Sequence, residues 1–185
     1  MDEADLDALL RAGHVRRERE LRERFDRSLP FGDTLGDRWD RAARLGFGSE
    51  ASIYDSAIVL GDVRVGAHTW IGPFTVLDGS GGGLEIGAWC SISAGVHLYT
   101  HDTVLWALSA GIQPRRTAPV AIGDCCYIGS QSVVSAGVTI GTQCVVGANS
   151  FVDEEVPDRT VVAGSPARPI GRVEGDGPEV RVVFD

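Results

Sequence analysis

Branched apolar residues recur every six positions through the middle of this chain: Val59, Val65, Ile71, Leu77, then Ile86, Ile92, Leu98, then Ile122, Ile128, Val134, Ile140, Val146 and Val152. Many are followed directly by Gly (66, 72, 87, 123, 129, 141, 147). The residue four after each is usually small: Thr69, Thr75, Cys90, Cys126, Ser132, Cys144 and Ser150. A six-residue period suits neither a 3.6-residue helix nor a simple alternating strand. It suits a solenoid of short strands and turns, in which three hexads make one triangular coil and each coil buries the next.

Two places break the rhythm. Leu77 to Ile86 is nine residues, not six, and the intervening DGSGGGLEIG (78–87) reads as a glycine-rich loop bulging at a corner. Residues 99–119 hold no clean hexad although the phase is kept across them. They form an excursion from the coil that carries His101, Asp102, Trp106, Arg115 and Arg116. Coils run from about Ser52 and resume cleanly to Val156. The stretch PDRTVVAGSPARPI (157–170) closes the stack, and residues 171–185 form a polar tail with one strand at 180–184.

Ahead of the coils, residues 3–29 read as a charged helix or helix pair whose thin apolar stripe is interrupted at Gly13, ended by Pro30. Glu18 with Arg22, Glu20 with Arg24 and Glu23 with Arg27 are acid-before-base pairs at i, i+4. A second helix is expected over 37–45, with Trp39, Ala42 and Leu45 inward and Gly46 as its stop. An open solenoid has a raw first coil to cover. Residues 1–51 are expected to supply that cap, residues 52–170 the coil domain, and 171–185 the tail.

Composition narrows the function classes. At 185 residues one domain with a small appendage is expected, 43% of it apolar. No stretch approaches the roughly 20 apolar residues of a membrane span. The acidic start MDEADLDALL lacks a secretory signal, so a cytoplasmic location is expected. The net charge of −9, with charge concentrated in the first 57 residues, argues against a basic nucleic-acid-binding face. With no lysine in the chain, Schiff-base chemistry is excluded. Cys90, Cys125, Cys126 and Cys144 form no CxxC or CxxH pattern, so zinc is not expected. Cys126 and Cys144 are one coil apart and should stack as reduced, small core residues. Cys125 should face outward as the more reactive thiol.

The hexads, the mid-solenoid excursion, the segment APVAIGDCCYIGSQSVVSAGVTIGTQCVVGANSFV and the closing VVAGSPARPI together resemble the hexapeptide-repeat acyltransferases. The likeness is nearest to the maltose- and galactoside-type O-acetyltransferases and the isoleucine-patch sugar O-acyltransferases, and covers about residues 52–172. It implies an all-β fold, a left-handed parallel β-helix. It also implies a homotrimer with sites between adjacent subunits, and acetyl-CoA as co-substrate with no metal. Such a trimer is a closed cyclic assembly in which flat-sided prisms bury one face each.

Acyl transfer from a thioester needs a base for the acceptor, donors for the oxyanion and a groove for the pantetheine arm. Of His14, His68, His97 and His101, the last stands where the coil is abandoned, at the place where the family carries its catalytic His. His101 is the expected general base, since an ordinary imidazole titrates near neutrality. Asp102 or a backbone carbonyl is a candidate to fix its tautomer, although adjacent side chains in an extended segment point opposite ways. Asp102 is otherwise a candidate for acceptor binding. The resemblance places the oxyanion and thioester contacts at the amides of Gly129 and Ser130, with Ser130, Ala148 and Asn149 along the pantetheine. Arg168 stands near the adenine or phosphates. Relatives carry Thr-Lys after the last hexad's Val, where this chain has Asp153-Glu154, so Arg159 or Arg172 must compensate or the phosphate is held differently. Tyr99, Trp106 and Tyr127 complete the acceptor candidates, because aromatic rings and Arg suit a sugar.

Two other classes stay open on the sequence. A zinc carbonic-anhydrase-like enzyme would need His68, His97 and His101 to converge, and the spacing of 68 and 97 is not a multiple of one coil. A non-enzymatic solenoid would leave the excursion's His unexplained. Within the transferase class, a His base tilts the expectation toward a hydroxyl acceptor, the alternative being N-acetylation of an amino sugar.

Overall fold

Each hexad forms a short strand and a turn, and the strands align across coils in parallel register. The computed structural model describes residues 2–185. Met1, the first residue of the expected cap, lies outside them. One face stacks Ser52–Ile53, Trp70–Ile71, Ser91–Ile92, Tyr127–Ile128, Val145–Val146 and Thr160–Gly164. A second stacks Ile58, Val76, His97, Val133 and Phe151 with the residues that follow them. The third stacks Val63–Val65, Leu84–Ile86, Val120–Ile122 and Thr139–Ile140, and Val156 bridges to Ile140.

The hexad residues fill the interior. From Val65 to Val152 each is at most 6% exposed, and Val59 packs against the same cluster. Each such burial stabilises by about 1.5–3 kcal/mol. The small slot has a second duty beyond fitting a corner. Thr69 Oγ1 donates to the Gly87 carbonyl at 2.7 Å and Ser132 Oγ to the Gly147 carbonyl at 2.8 Å. The thiols of Cys90, Cys126 and Cys144 do the same toward Gly123, Gly141 and Pro157 at 3.0–3.1 Å. The buried cysteines are therefore donors that tie one coil to the next, as well as small residues. The glycine after the core residue is steric. At Gly129 a Cβ would come 2.5 Å from the Ala148 nitrogen of the next coil.

The glycine-rich stretch is not a loop. Val76–Ile86 is one continuous strand that rounds the corner paired with Ile58–Val65, the register shifting between Gly61 and Val63. Its glycines make room for what crosses over them. At Gly81 a Cβ would lie 2.1 Å from the Thr100 carbonyl oxygen. The excursion starts there. His101–Asp102 pairs antiparallel with Arg116–Thr117, and a five-residue helix lies between them over Val104–Leu108.

At the N-terminus, helix α1 runs unbroken through Gly13 from Glu3 to Phe25, capped by Asp2 and ended by Asp26 at positive φ rather than by Pro30. Pro30 instead precedes a short helix, α2, Phe31–Leu35, against which α1 packs. Only the first expected ion pair forms, Glu18–Arg22 at 3.5 Å. Glu20 turns back to Arg16 and Arg17. Helix α3, Arg38–Arg44, abuts the first coil, and its Arg41 donates to the carbonyls of Tyr54 and Ala57. Of its expected inward residues only Ala42 is buried. Trp39 and Leu45 are 46% and 39% exposed, Trp39 lying under the Arg38 guanidinium. At the other end Thr160–Gly164, Ala167–Glu174 and Arg181–Phe184 form an antiparallel extension of the first face, so the tail is folded back as sheet. Among the described residues no helix is long and apolar enough to cross a membrane.

Candidate active site

His101 sits at the foot of the excursion, its side chain 25% exposed. Its Nδ1 lies 3.0 Å from Asp78 Oδ2 and 3.4 Å from Ser80 Oγ. Asp78 follows the core residue Leu77 and is 2% exposed. Its other carboxylate oxygen accepts the Ser80 amide at 2.9 Å, and its carbonyl accepts from Thr100 Oγ1 at 2.7 Å. Thr100 Oγ1 in turn accepts the Gly81 amide at 2.8 Å. With Nδ1–H donated to the carboxylate, the imidazole lone pair is on Nε2, the atom free to take a proton.

The partner expected in this role, Asp102, is elsewhere. Its Oδ1 accepts the Val104 amide at 3.1 Å and its Oδ2 lies 3.7 Å from Arg116. Alternation along the strand turns Asp102 away from the imidazole, and Asp78 was missed because it belongs to the preceding coil. Arg116 also donates to the Ala136 carbonyl at 3.0 Å, and Arg115 to the Ser80 carbonyl at 3.4 Å. Both arginines tether the excursion.

The amides named from the sequence divide into free and committed. Gly129 N–H donates to the Val146 carbonyl at 2.8 Å and Asn149 N–H to the Ser130 carbonyl at 2.9 Å, so neither is available to a ligand. Among the described residues, the amides of Ser130 and Ala148 donate to no protein acceptor. Both stand at the corner before the second face, whereas His101 stands beyond its far end. His97 is in register with Val133. Ser130 precedes Val133 by three residues and His101 follows His97 by four. Seven residues at ~3.3 Å each set the two up to about 23 Å apart along one face of the chain.

The remaining candidates are dispersed. Tyr99 is close to the base, two residues before it, its hydroxyl 3.2 Å from His97 Nδ1. Trp106 projects from the excursion helix, 51% exposed, beside the similarly exposed Val104, Leu105, Leu108 and Ile112. Tyr127 is 45% exposed on the first face, between Ser91 and Val145. Arg168 is already paired, with Asp153 and with Glu154 at 3.6 Å each. The two arginines expected to compensate are paired as well, Arg159 with Asp176 and Arg172 with Glu174 and Asp185. The phosphate end of the expected groove therefore lacks an unpaired guanidinium at these three positions.

The other histidines stand apart. His14 contacts Thr34 and Phe31, and His68 stacks on Trp89 of the next coil with ring centroids 4.0 Å apart. Among the described residues no three His, Cys, Asp or Glu side chains are grouped to hold a metal. Cys125 is the exposed thiol, and partial burial and the neighbouring Asp124 push it above the ordinary thiol range.

Residues 119–154 match the family described as the hexapeptide repeat of succinyl-transferase. Over 78 residues the chain is 50% identical to 2,3,4,5-tetrahydropyridine-2,6-dicarboxylate N-acetyltransferase of Lacticaseibacillus paracasei, covering 42% of this chain and 33% of that protein. The match thus spans about a third of that relative's length. A hexapeptide-repeat containing acetyltransferase of Vibrio cholerae O1 biovar eltor, solved with acetyl coenzyme A, superposes with TM-score 0.67. It is 29% identical, over 94% of this chain and 91% of that one. AntD, an N-acyltransferase from Bacillus cereus solved with dTDP and coenzyme A, gives TM-score 0.62 at 29% identity, covering 68% and 72%. By its repeat and its fold, the coil domain is similar to hexapeptide-repeat acetyltransferases.

Proposed function

We propose that this chain moves an acetyl group from acetyl-CoA to a hydroxyl of a sugar or sugar-like acceptor, as a homotrimer of left-handed β-helices with sites at the seams between copies. The observation that carries the reading is the 3.0 Å contact of His101 Nδ1 with the buried Asp78 carboxylate, which leaves Nε2 as a base at the foot of an exposed arm. The need for neighbours rests on distance. His101 and the free Ser130 amide are too far apart in one chain to act on one carbonyl, so one copy's imidazole works with another's amide. The exposed apolar residues of the excursion, Leu105, Trp106, Leu108 and Ile112, give that arm a reason to lie on a second copy.

In this mechanism the acceptor hydroxyl gives its proton to His101 Nε2 while its oxygen attacks the thioester carbonyl. Asp78 stabilises the imidazolium that forms, as a buried carboxylate does for a His base. The oxyanion is held by the Ser130 amide, with Ala148 N–H further along the pantetheine. Collapse breaks the C–S bond, and the imidazolium returns its proton to the leaving thiolate. Free CoA thiol, acetylated acceptor and neutral His101 remain.

A second reading, transfer to the amino group of an amino sugar, is favoured by the relatives, of which two are N-acyltransferases by description. The test is release of CoA thiol from acetyl-CoA against a panel of sugars, amino sugars and nucleotide-linked sugars, with His101→Ala in parallel. Hydroxylamine-labile product means an ester, stable product an amide. Unchanged turnover in His101→Ala would reject the base assignment.

A further inference from the structure

We propose that His97 and Tyr99 form a hydroxyl-reading pair that fixes the acceptor beside His101, an inference that rests on the transferase reading above. In the run His97-Leu98-Tyr99-Thr100-His101, Leu98 and Thr100 are fully buried and the other three are partly exposed. Alternation therefore sets His97, Tyr99 and His101 on one outward row. Tyr99 Oη lies 3.2 Å from His97 Nδ1, with the rings edge to face and their centroids 5.7 Å apart. On the neighbouring coils His97 is flanked by Val76 and Val133, and Ile58 and Phe151 lie beyond them. The pair is thus a polar island in an apolar column, continuous with Asp78, which is in register with Tyr99.

Either proton arrangement of this pair gives the same outward code. If Tyr99 donates to Nδ1, the phenol oxygen remains an acceptor and His97 Nε2–H a donor. If Nδ1–H donates to the phenol oxygen, Tyr99 O–H is the outward donor and Nε2 the acceptor. One donor and one acceptor side by side match a group that also donates and accepts, which is a hydroxyl. A carboxylate or phosphate would ask for two donors, and an ammonium for two acceptors. Tyr99 precedes His101 by two residues, roughly 6–7 Å along an extended strand, about the breadth of a sugar ring. The pair therefore selects an acceptor bearing a second hydroxyl across the ring from the reacting group.

The test uses acetyl-CoA with glucose, galactose and glucosamine and their monodeoxy forms, following CoA release. Tyr99→Phe and His97→Leu should each raise the acceptor KM by about tenfold, with the loss in acceptor KM rather than in kcat or the acetyl-CoA KM. His97→Gln, which keeps one donor and one acceptor, should restore most of it. One monodeoxy sugar should lose nothing further in Tyr99→Phe, because the same contact cannot be removed twice. The proposal is overturned if His97→Leu lowers kcat at unchanged acceptor KM, if every deoxy sugar loses additively, or if the wild type accepts none of these hexoses. Failure of the transferase reading would show separately, as no acceptor-dependent CoA release by the wild type with any sugar, amino sugar or nucleotide-linked sugar.

Discussion

Asp78 Oδ2 and His101 Nδ1 meet at 3.0 Å across two successive coils, joining the end of one core hexad to the start of the excursion. The carboxylate is buried and the imidazole partly exposed, so the contact orients one outward nitrogen. Removing either partner should have consequences in kcat before it has them in binding.

For that pair, His101→Ala should lower kcat by about 10²- to 10⁴-fold. Asp78→Asn should lower it by at least about tenfold with both KM values little changed. The double variant should be no worse than His101→Ala, because the two act as a unit. Additive losses in the double variant would separate Asp78 from the base.

Gly81→Ala tests the corner that holds the base. A Cβ there meets the Thr100 carbonyl at 2.1 Å and the His101 Cβ at 2.8 Å, so the crossing chain must shift. The expected result is loss of transfer with the coils still folded by circular dichroism. Full activity would mean that the crossing is not tightly placed.

Ser132→Ala tests the donor slot. It leaves the Gly147 carbonyl and the Ser150 amide without their partner, at a cost of about 1–3 kcal/mol in stability. Ser132→Cys should recover most of it, since Cys126 makes the same kind of bond at 3.0 Å. Equal denaturation midpoints for Ala and Cys would reduce the slot to a matter of size.

Glu154→Lys removes one of the two carboxylates that hold Arg168 and adds a cation beside it. If acetyl-CoA phosphates lie there, its KM should fall about three- to tenfold at low salt, and the gain should fade as salt rises. No change would place the nucleotide elsewhere.

Thiol-directed reagents should modify one cysteine of the native protein, Cys125, and Cys125→Ser should abolish that labelling. Its thiol is pushed up by burial and by Asp124, so the neutral form dominates at pH 7. Labelling should be slow there and accelerate as the pH is raised past the ordinary thiol range. Rapid labelling at pH 7 would contradict this.

The coils were legible because the hexad codes burial directly. A residue such as Ile128 is fully buried and its neighbour Gly129 is needed where the next backbone passes. The excursion was legible as the place where that code stops. Asp78 was not, because its partner lies on the next coil and the three extra residues after Leu77 break the coil spacing that would have paired them. An acidic residue directly after a core Leu was the available signal. That Gly129 N–H was already committed could have been found by counting rung hydrogen bonds, each of which consumes one backbone donor. Helix α1 passing through Gly13, and Trp39 facing outward, depended on weak local preferences that tertiary contacts decide.

The most direct measurement mixes two variants, His101→Ala and Ser130→Pro. The second removes only a free amide, and Pro73 already occupies the equivalent corner after Ile71-Gly72, so the turn tolerates it. Each variant alone should be nearly inactive, with Ser130→Pro down about 10²- to 10³-fold. If base and amide come from different copies, co-refolding the two in equal amounts restores about a quarter of wild-type activity, the share of seams that draw an intact element from each side. No recovery above the sum of the separate variants would contradict a site shared between neighbours.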